Sequence, residues 1–187
     1  VKWDLLNWKH IRRFKELQEK ERPGLLIGSP PCTSFCALLH MNESTRARIE
    51  ERQEKYGKPM VRTCVDAYWK QLEMGKHFLH EHPKKAGSWN MPEVKALEAD
   101  SRVYKVNSSM CKYGMRARGP DGKEGWVRKD TTWMTSCKAI ADALEGECDG
   151  SHPHVHLVGG RAKHAQVYPS GLVDEILGQY AKEVYKK

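Results

Sequence analysis

The apolar run Leu25-Leu26-Ile27 stops against Gly28-Ser29-Pro30-Pro31, and few folds accommodate such a break. The run reads as a short buried strand, which glycine and two prolines must end abruptly. Each proline fixes φ and removes a backbone donor, so Cys32 is presented on a stiff loop just past the strand's carboxyl end. Downstream, Pro59 opens an amphipathic helix in which Val61, Cys64, Val65, Tyr68, Trp69 and Leu72 recur at helical spacing. Gly75 stops it, and His77 to Pro83 reads as a second strand ending at Pro83. Strand, helix, strand is a crossover unit, and it brings both carboxyl ends to one edge of a sheet. Ligands of open α/β sheets bind at that edge.

The remaining segments continue the alternation. Asn7 to Lys20 reads as a charged helix with Trp8, Ile11, Phe14 and Leu17 inward, and Glu43 to Tyr56 as a helix polar all round. A helical turn begins near Pro92. Val103 to Asn107 and Thr131 to Thr135 read as short strands, with a Gly- and Lys-rich loop, Gly114 to Lys129, between them. Ser136 or Cys137 precedes another short helix, and Leu172 to Tyr185 closes the chain as a helix capped near Ser170. The pattern predicts an α/β fold, Rossmann-like, with a mostly parallel sheet and helices on both faces. At 187 residues the chain suits one domain spanning 1–187.

The chemistry starts from Cys32 and Glu81, both expected at that shared edge. A thiolate beside a carboxyl suits covalent catalysis on an electron-poor ring: the thiolate adds, and the acid disperses charge at a ring nitrogen. His80 and His82 alternate to the opposite face. The plainer alternatives are a Cys32 that is a small buried hydrophobe and a Glu81 that caps a loop or pairs with Lys84 or Lys85. A net charge of +8 and a pI near 9.2 favour an anionic partner, nucleic acid first. No apolar run approaches the roughly 20 residues that span a bilayer, and no signal peptide pattern opens the chain, so no membrane partner is expected. Six cysteines are too sparse for a disulfide scaffold and point to an intracellular, reducing compartment such as the nucleus.

Pro30-Pro31-Cys32-Thr33-Ser34-Phe35-Cys36 closely resembles the PPCxxFS nucleophile motif of DNA cytosine-5 methyltransferases, with Cys36 in place of the usual serine. Trp3-Asp4-Leu5 resembles that family's acidic cofactor segment. Phe78 to Pro83 lies where it has Glu-Asn-Val, with His82 replacing the asparagine. Cys111-Lys112-Tyr113-Gly114 and Lys129 to Met134 resemble the Tyr-Gly turn and basic strand that follow. The pattern also looks like methyltransferase-like modules of retroelements and viruses. It covers about Trp3 to Ser136, leaving 137–187 as a Cys/His segment and closing helix.

The resemblance implies Cys32 as nucleophile toward C6 of a flipped cytosine and Glu81 at N3. It implies S-adenosylmethionine as cofactor, contacted by Asp4 and Pro30, and DNA as partner, with RNA open. The family's glycine-rich cofactor loop would precede Asp4, so the domain is expected to be incomplete at its amino end, with room for a partner chain to complete the cofactor site. Arg128 and Lys129 partly replace a Gln-x-Arg-x-Arg motif. A non-catalytic nucleic-acid-binding or assembly protein, and a thiol enzyme of another kind, are the competing readings.

Two further clusters stand out. Cys148, His152, His154 and His156 have the ligand types of a zinc site, and Cys111 or Cys137 can approach from elsewhere. Surface histidines or a nucleic-acid-facing loop are the alternatives. Arg116, Arg118, Arg128 and Lys129, interleaved with Tyr113 and Trp126, suit phosphate contact with base stacking, or else a solvated loop.

Overall fold

A computed structural model describes residues 3–35, 43–155 and 167–185. Helix α1 (Trp8–Glu21) begins where the Asn7 side chain accepts a hydrogen bond from the Lys9 amide. Strand β1 (Leu25–Gly28) follows, then α2 (Glu43–Arg52), which runs through a π-helical turn at Gln53–Gly57 straight into α3 (Lys58–Glu73). Strand β2 (His77–Pro83), α4 (Pro92–Glu98) and β3 (Tyr104–Ser109) come next, and then β4 (Arg116–Arg118), β5 (Glu124–Trp126) and β6 (Asp130–Thr135). Helices α5 (Lys138–Leu144) and α6 (Ser170–Val184) complete the order.

The main sheet has the order β1-β2-β6-β3, and β4 pairs with β5 in a separate hairpin. Strand β1 runs parallel to β2, with Leu25 opposite His77 and Gly28 opposite His80. Strand β6 runs antiparallel to both its neighbours. The expected mostly parallel sheet is therefore corrected to a mixed one. The physical reason is the connection between β3 and β6, which contains the β4–β5 hairpin but no crossover helix. Because β6 opposes both neighbours, β1, β2 and β3 share one direction, and their carboxyl ends meet the start of β6 at a single edge. The hairpin itself was expected to be loop; its three-residue strands are too short to carry a period of two.

Helices do cover both faces. Alternation along β2 sends Phe78 to a core with Val61, Val65, Tyr68 and Leu72 of α3 and Val94 and Leu97 of α4. Leu79 goes to the other core, with Ile140 and Leu144 of α5 and Leu172 and Ile176 of α6. Strand β6 splits likewise, with Met134 on the first side and Trp133 on the second. Helix α1 turns Ile11, Phe14 and Leu17 inward as expected, but not Trp8. Its buried anchor is Gln18, which donates to the Ala67 carbonyl at 2.8 Å and to Gln71 Oε1 at 3.0 Å. Those bonds set the inward face, so Trp8 is left 62% exposed, with the Arg12 guanidinium 5.2 Å from its ring centroid. No described helix is long and apolar enough to cross a membrane.

One close approach fixes where β1 ends. The Tyr68 ring stacks on Phe78 at 4.6 Å, and its hydroxyl is 2.9 Å from His80 Nδ1. A Cβ on Gly28 would lie 1.9 Å from that hydroxyl oxygen. Tyr68 is fully buried and held on both sides, so it cannot swing away. Gly28→Ala is expected to lower unfolding free energy in urea by about 1–3 kcal/mol, the usual cost of overpacking. A loss below about 0.5 kcal/mol would show that Tyr68 yields.

Candidate functional site

The β1–α3–β2 crossover brings Cys32 and Glu81 to one cavity of about 310 Å³, shared with Ser29, Lys129 and Tyr168. Glu81 is 4% exposed. Its Oε2 accepts a hydrogen bond from the Ser29 hydroxyl at 2.7 Å. Its Oε1 lies 3.6 Å from Lys129 Nζ, too long for a hydrogen bond, and accepts none from any described group. A buried carboxylate oxygen without a donor is costly, so this atom favours a ligand that brings an N–H or O–H. Of the plainer alternatives for Glu81, Lys84 pairs with Glu147 instead, whereas the Ser29 bond ties Glu81 to the loop after β1. Cys32 is half-buried at the cavity wall.

The proline loop is held from behind. His82 Nε2 donates to the Pro30 carbonyl at 2.8 Å, since that oxygen can only accept. His82 Nδ1 therefore accepts from the Ser88 hydroxyl. As alternation predicts, both His80 and His82 face away from Glu81, against Trp89. The residue that departs from the Glu-Asn-Val pattern thus becomes the latch of the proline loop. Beyond it, Thr33–Phe35 forms a short 3₁₀ turn closed by the Phe35 amide donating to the Cys32 carbonyl at 2.8 Å. Gln53, in the π-helical turn, donates to the Ser34 carbonyl at 2.6 Å, so the polar helix lies over this turn.

Tyr168, just before α6, went unnoticed in the sequence, where only Pro169 and Ser170 mark its position. Burial and the Glu81 carboxylate push its hydroxyl well above the usual phenol range, which keeps it a proton donor. Lys129 carries φ +26°. That is a left-handed conformation that non-glycine residues adopt at a cost of about 1–3 kcal/mol, and such strain concentrates at functional sites.

The other expected site residues lie elsewhere. Asp4 is exposed in the turn before α1, its Oδ1 accepting from the Leu6 amide at 2.9 Å. Pro30 separates the Cys32 cavity from an apolar pocket of about 230 Å³ that Leu5, Phe14, Ile27, Met60 and Cys64 help to line. No acidic or basic side chain lines that pocket. That pocket offers no ionic partner for the charged methionine end of S-adenosylmethionine. Among the four basic residues, only Lys129 lines the cavity. Arg116 stacks its guanidinium on Trp126 at 3.9 Å, Arg128 pairs with Asp130 at 2.9 Å, and Arg118 is exposed on β4.

At the β3 end of the same edge, Cys111, Cys148, His152 and His154 converge, their ligand atoms all within 4.8 Å of one another. This is a Cys2His2-type cluster able to hold a metal. Cys111 enters from the turn after β3, whereas Cys137 is buried with Ile140 and Leu144. His156 lies outside the described residues. Burial and the adjacent Cys148 push the Cys111 thiol up to about 11.

No protein-family model, curated protein or solved structure matches this chain.

Burial holds His80 well below the ordinary imidazole range and His82 below it. The unfolded chain takes up these protons near pH 6.5 while the folded chain resists them. Stability is thus complete above that pH and falls as pH drops toward the folded values, by about 1.4 kcal/mol per pH unit for each histidine. Urea midpoints should decline between pH 7 and pH 5, and His80→Gln should make the decline shallower. A flat profile would contradict the neutral, buried state of both rings.

Proposed function

We propose that the Cys32–Glu81 cavity is a covalent site for a pyrimidine base of a nucleic acid. Cytosine in DNA is the base that the resemblance to DNA cytosine-5 methyltransferases favours. One observation carries this reading: a half-buried thiol and a buried carboxyl with an unsatisfied oxygen line the same cavity. In the reaction, the Cys32 thiolate forms a bond to C6, and the C5–C6 electron pair moves to C5. A proton shared between Glu81 and N3 passes to N3 as charge spreads there and returns when the thiolate departs, while Glu81 Oε1 accepts from the exocyclic amino group of the base. C5 takes a proton from water, and its original hydrogen then leaves as a proton. The C5–C6 double bond re-forms as the thiolate departs. Lys129 and the Tyr168 hydroxyl stand beside Glu81 as donors for the ring oxygen or a flanking phosphate. A flipped or single-stranded base fits such a recess.

The net charge of +8 supports an anionic polymer as the partner. The activity assigned to this chain is reversible activation of C5, the step for which the described residues supply the groups. The same charge suits one alternative, a site that holds a base without attacking it.

The test needs no cofactor: release of tritium to water from an oligonucleotide containing 5-tritiated cytosine. The wild-type chain should release label, and Cys32→Ala should abolish release while leaving binding of the oligonucleotide within a few-fold. Glu81→Gln should slow release by about 10²–10⁴-fold, the usual weight of a positioned acid. Binding without release would leave only the binding-only reading, and no binding would overturn both.

A further inference from the structure

Four side chains that play no part in the base site meet where β3 leaves the sheet. Cys111 lies in the 3₁₀ turn Met110–Tyr113 that follows β3 and is 4% exposed. Cys148 and His152 belong to the irregular segment after α5, and His154 forms a bridge to Trp126 of β5. Two separate stretches of chain thus supply two thiols and two imidazoles, the donor types that zinc takes. We propose that Cys111, Cys148, His152 and His154 bind one zinc ion in a closed tetrahedral site that clamps the 148–155 segment, and with it the β4–β5 hairpin, to the turn after β3.

The spacing of the donor atoms supports this assignment. Zinc–sulfur bonds near 2.3 Å and zinc–nitrogen bonds near 2.05 Å set a tetrahedral sulfur-to-nitrogen edge of about 3.5 Å. Cys148 Sγ lies 3.7 Å from His152 Nε2 and 3.5 Å from His154 Nε2. The widest separation allowed within the cluster is 4.8 Å, so even the longest sulfur–sulfur edge closes with about 1 Å of inward movement. The Gly150 amide donates to Cys148 Sγ at 3.4 Å, which fixes the position of that sulfur. A disulfide between the two cysteines would leave both imidazoles aimed at sulfur without a role. Four protein ligands leave no open position, so the site is structural rather than catalytic.

The surrounding bonds show what the ion would hold. The Val155 amide donates to the Trp126 carbonyl at 2.8 Å, and the His152 ring lies 5.5 Å from the Trp126 ring. The Cys148 amide donates to Ser109 Oγ at 3.0 Å, and Ser109 donates to Asp130 Oδ1 at 2.6 Å. Asp130 is the neighbour of Lys129, so the clamp reaches the rim of the Cys32 cavity without sharing a residue with it. The hairpin and the segment bury few side chains of their own. Ordering there therefore depends on the ion, as it does wherever metal binding and local folding are one event.

The full chain is purified without added metal and its zinc measured per protein, together with Cys111→Ser, Cys148→Ser and the control Cys64→Ser. One equivalent of zinc is expected in the wild type and control, and less than a tenth in each ligand variant. Replacing zinc by cobalt should give thiolate-to-cobalt charge transfer and the intense visible bands of a tetrahedral site. Because a ligand variant can fail to fold, the wild type is also stripped with chelator and followed by hydrogen exchange. Amides of 116–126 and 148–155 should exchange at least tenfold faster, while those of β2 hold, and added zinc should restore protection. Three results would each overturn the site: substoichiometric zinc after reconstitution, equal zinc in the Cys148→Ser variant, or a Cys111–Cys148 disulfide in its place. Unchanged exchange after stripping would overturn the clamp. Tritium release by the Cys32 cavity is a separate readout and decides nothing here.

Discussion

Strand β1 ends beside β2, and one hydrogen bond governs what the chain does next. His82, on β2, reaches across to the Pro30 carbonyl of the loop that follows β1. Pro30 and Pro31 cannot bond through their own nitrogens, so this loop has little backbone bonding to hold it. The bond is buried, and removing it would strand a donor or an acceptor at a cost of about 1–3 kcal/mol. With the loop latched, Cys32 faces the cavity and Ser29 reaches Glu81. His82, the neighbour of Glu81, thus positions the loop that carries Cys32, and the alternation of a strand lets one short segment do both.

Everything with chemical potential gathers along the same edge. Strands β1, β2 and β3 all end there and β6 begins there, so three successive loops and the Lys129 turn crowd one rim. The thiol–carboxyl cavity occupies the β1–β2 end and the Cys/His cluster the β3 end. Ser109, Asp130 and Arg128 form the polar link between them. The strained backbone at Lys129 belongs to this arrangement. A relaxed residue there would not need the ion pair with Glu81 or the packing of Tyr168 to hold its place.

Much of the fold was legible because its signals are local. Pro59 and the Val61-to-Leu72 stripe announced α3, and Pro83 marked the end of β2 to the residue. The alternation of Glu81 with His80 and His82 followed from strand geometry alone. Direction was not legible: β6 turns back because the excursion before it contains no crossover helix, and that excursion looked like loop. On α1 the inward side of Ile11, Phe14 and Leu17 was legible, but Gln18, a polar residue that anchors it, and the exposure of Trp8 were not. Sequence spacing found Cys148, His152 and His154 but could not choose Cys111 over Cys137, since that choice is made by strand ends meeting in space. Tyr168 left no trace, because its place depends on how α6 docks beneath Trp133.

The central claim is that Cys32 and Glu81 form one recess that receives a nucleic-acid base. Alkylation of Cys32 by iodoacetamide, followed by mass spectrometry, tests it most directly. A single-stranded oligonucleotide carrying one cytosine should slow modification of Cys32 by tenfold or more, leaving Cys64 unchanged, while the same strand with an abasic site at that position should protect far less. Equal alkylation with either strand, or protection that ignores the missing base, would contradict the account.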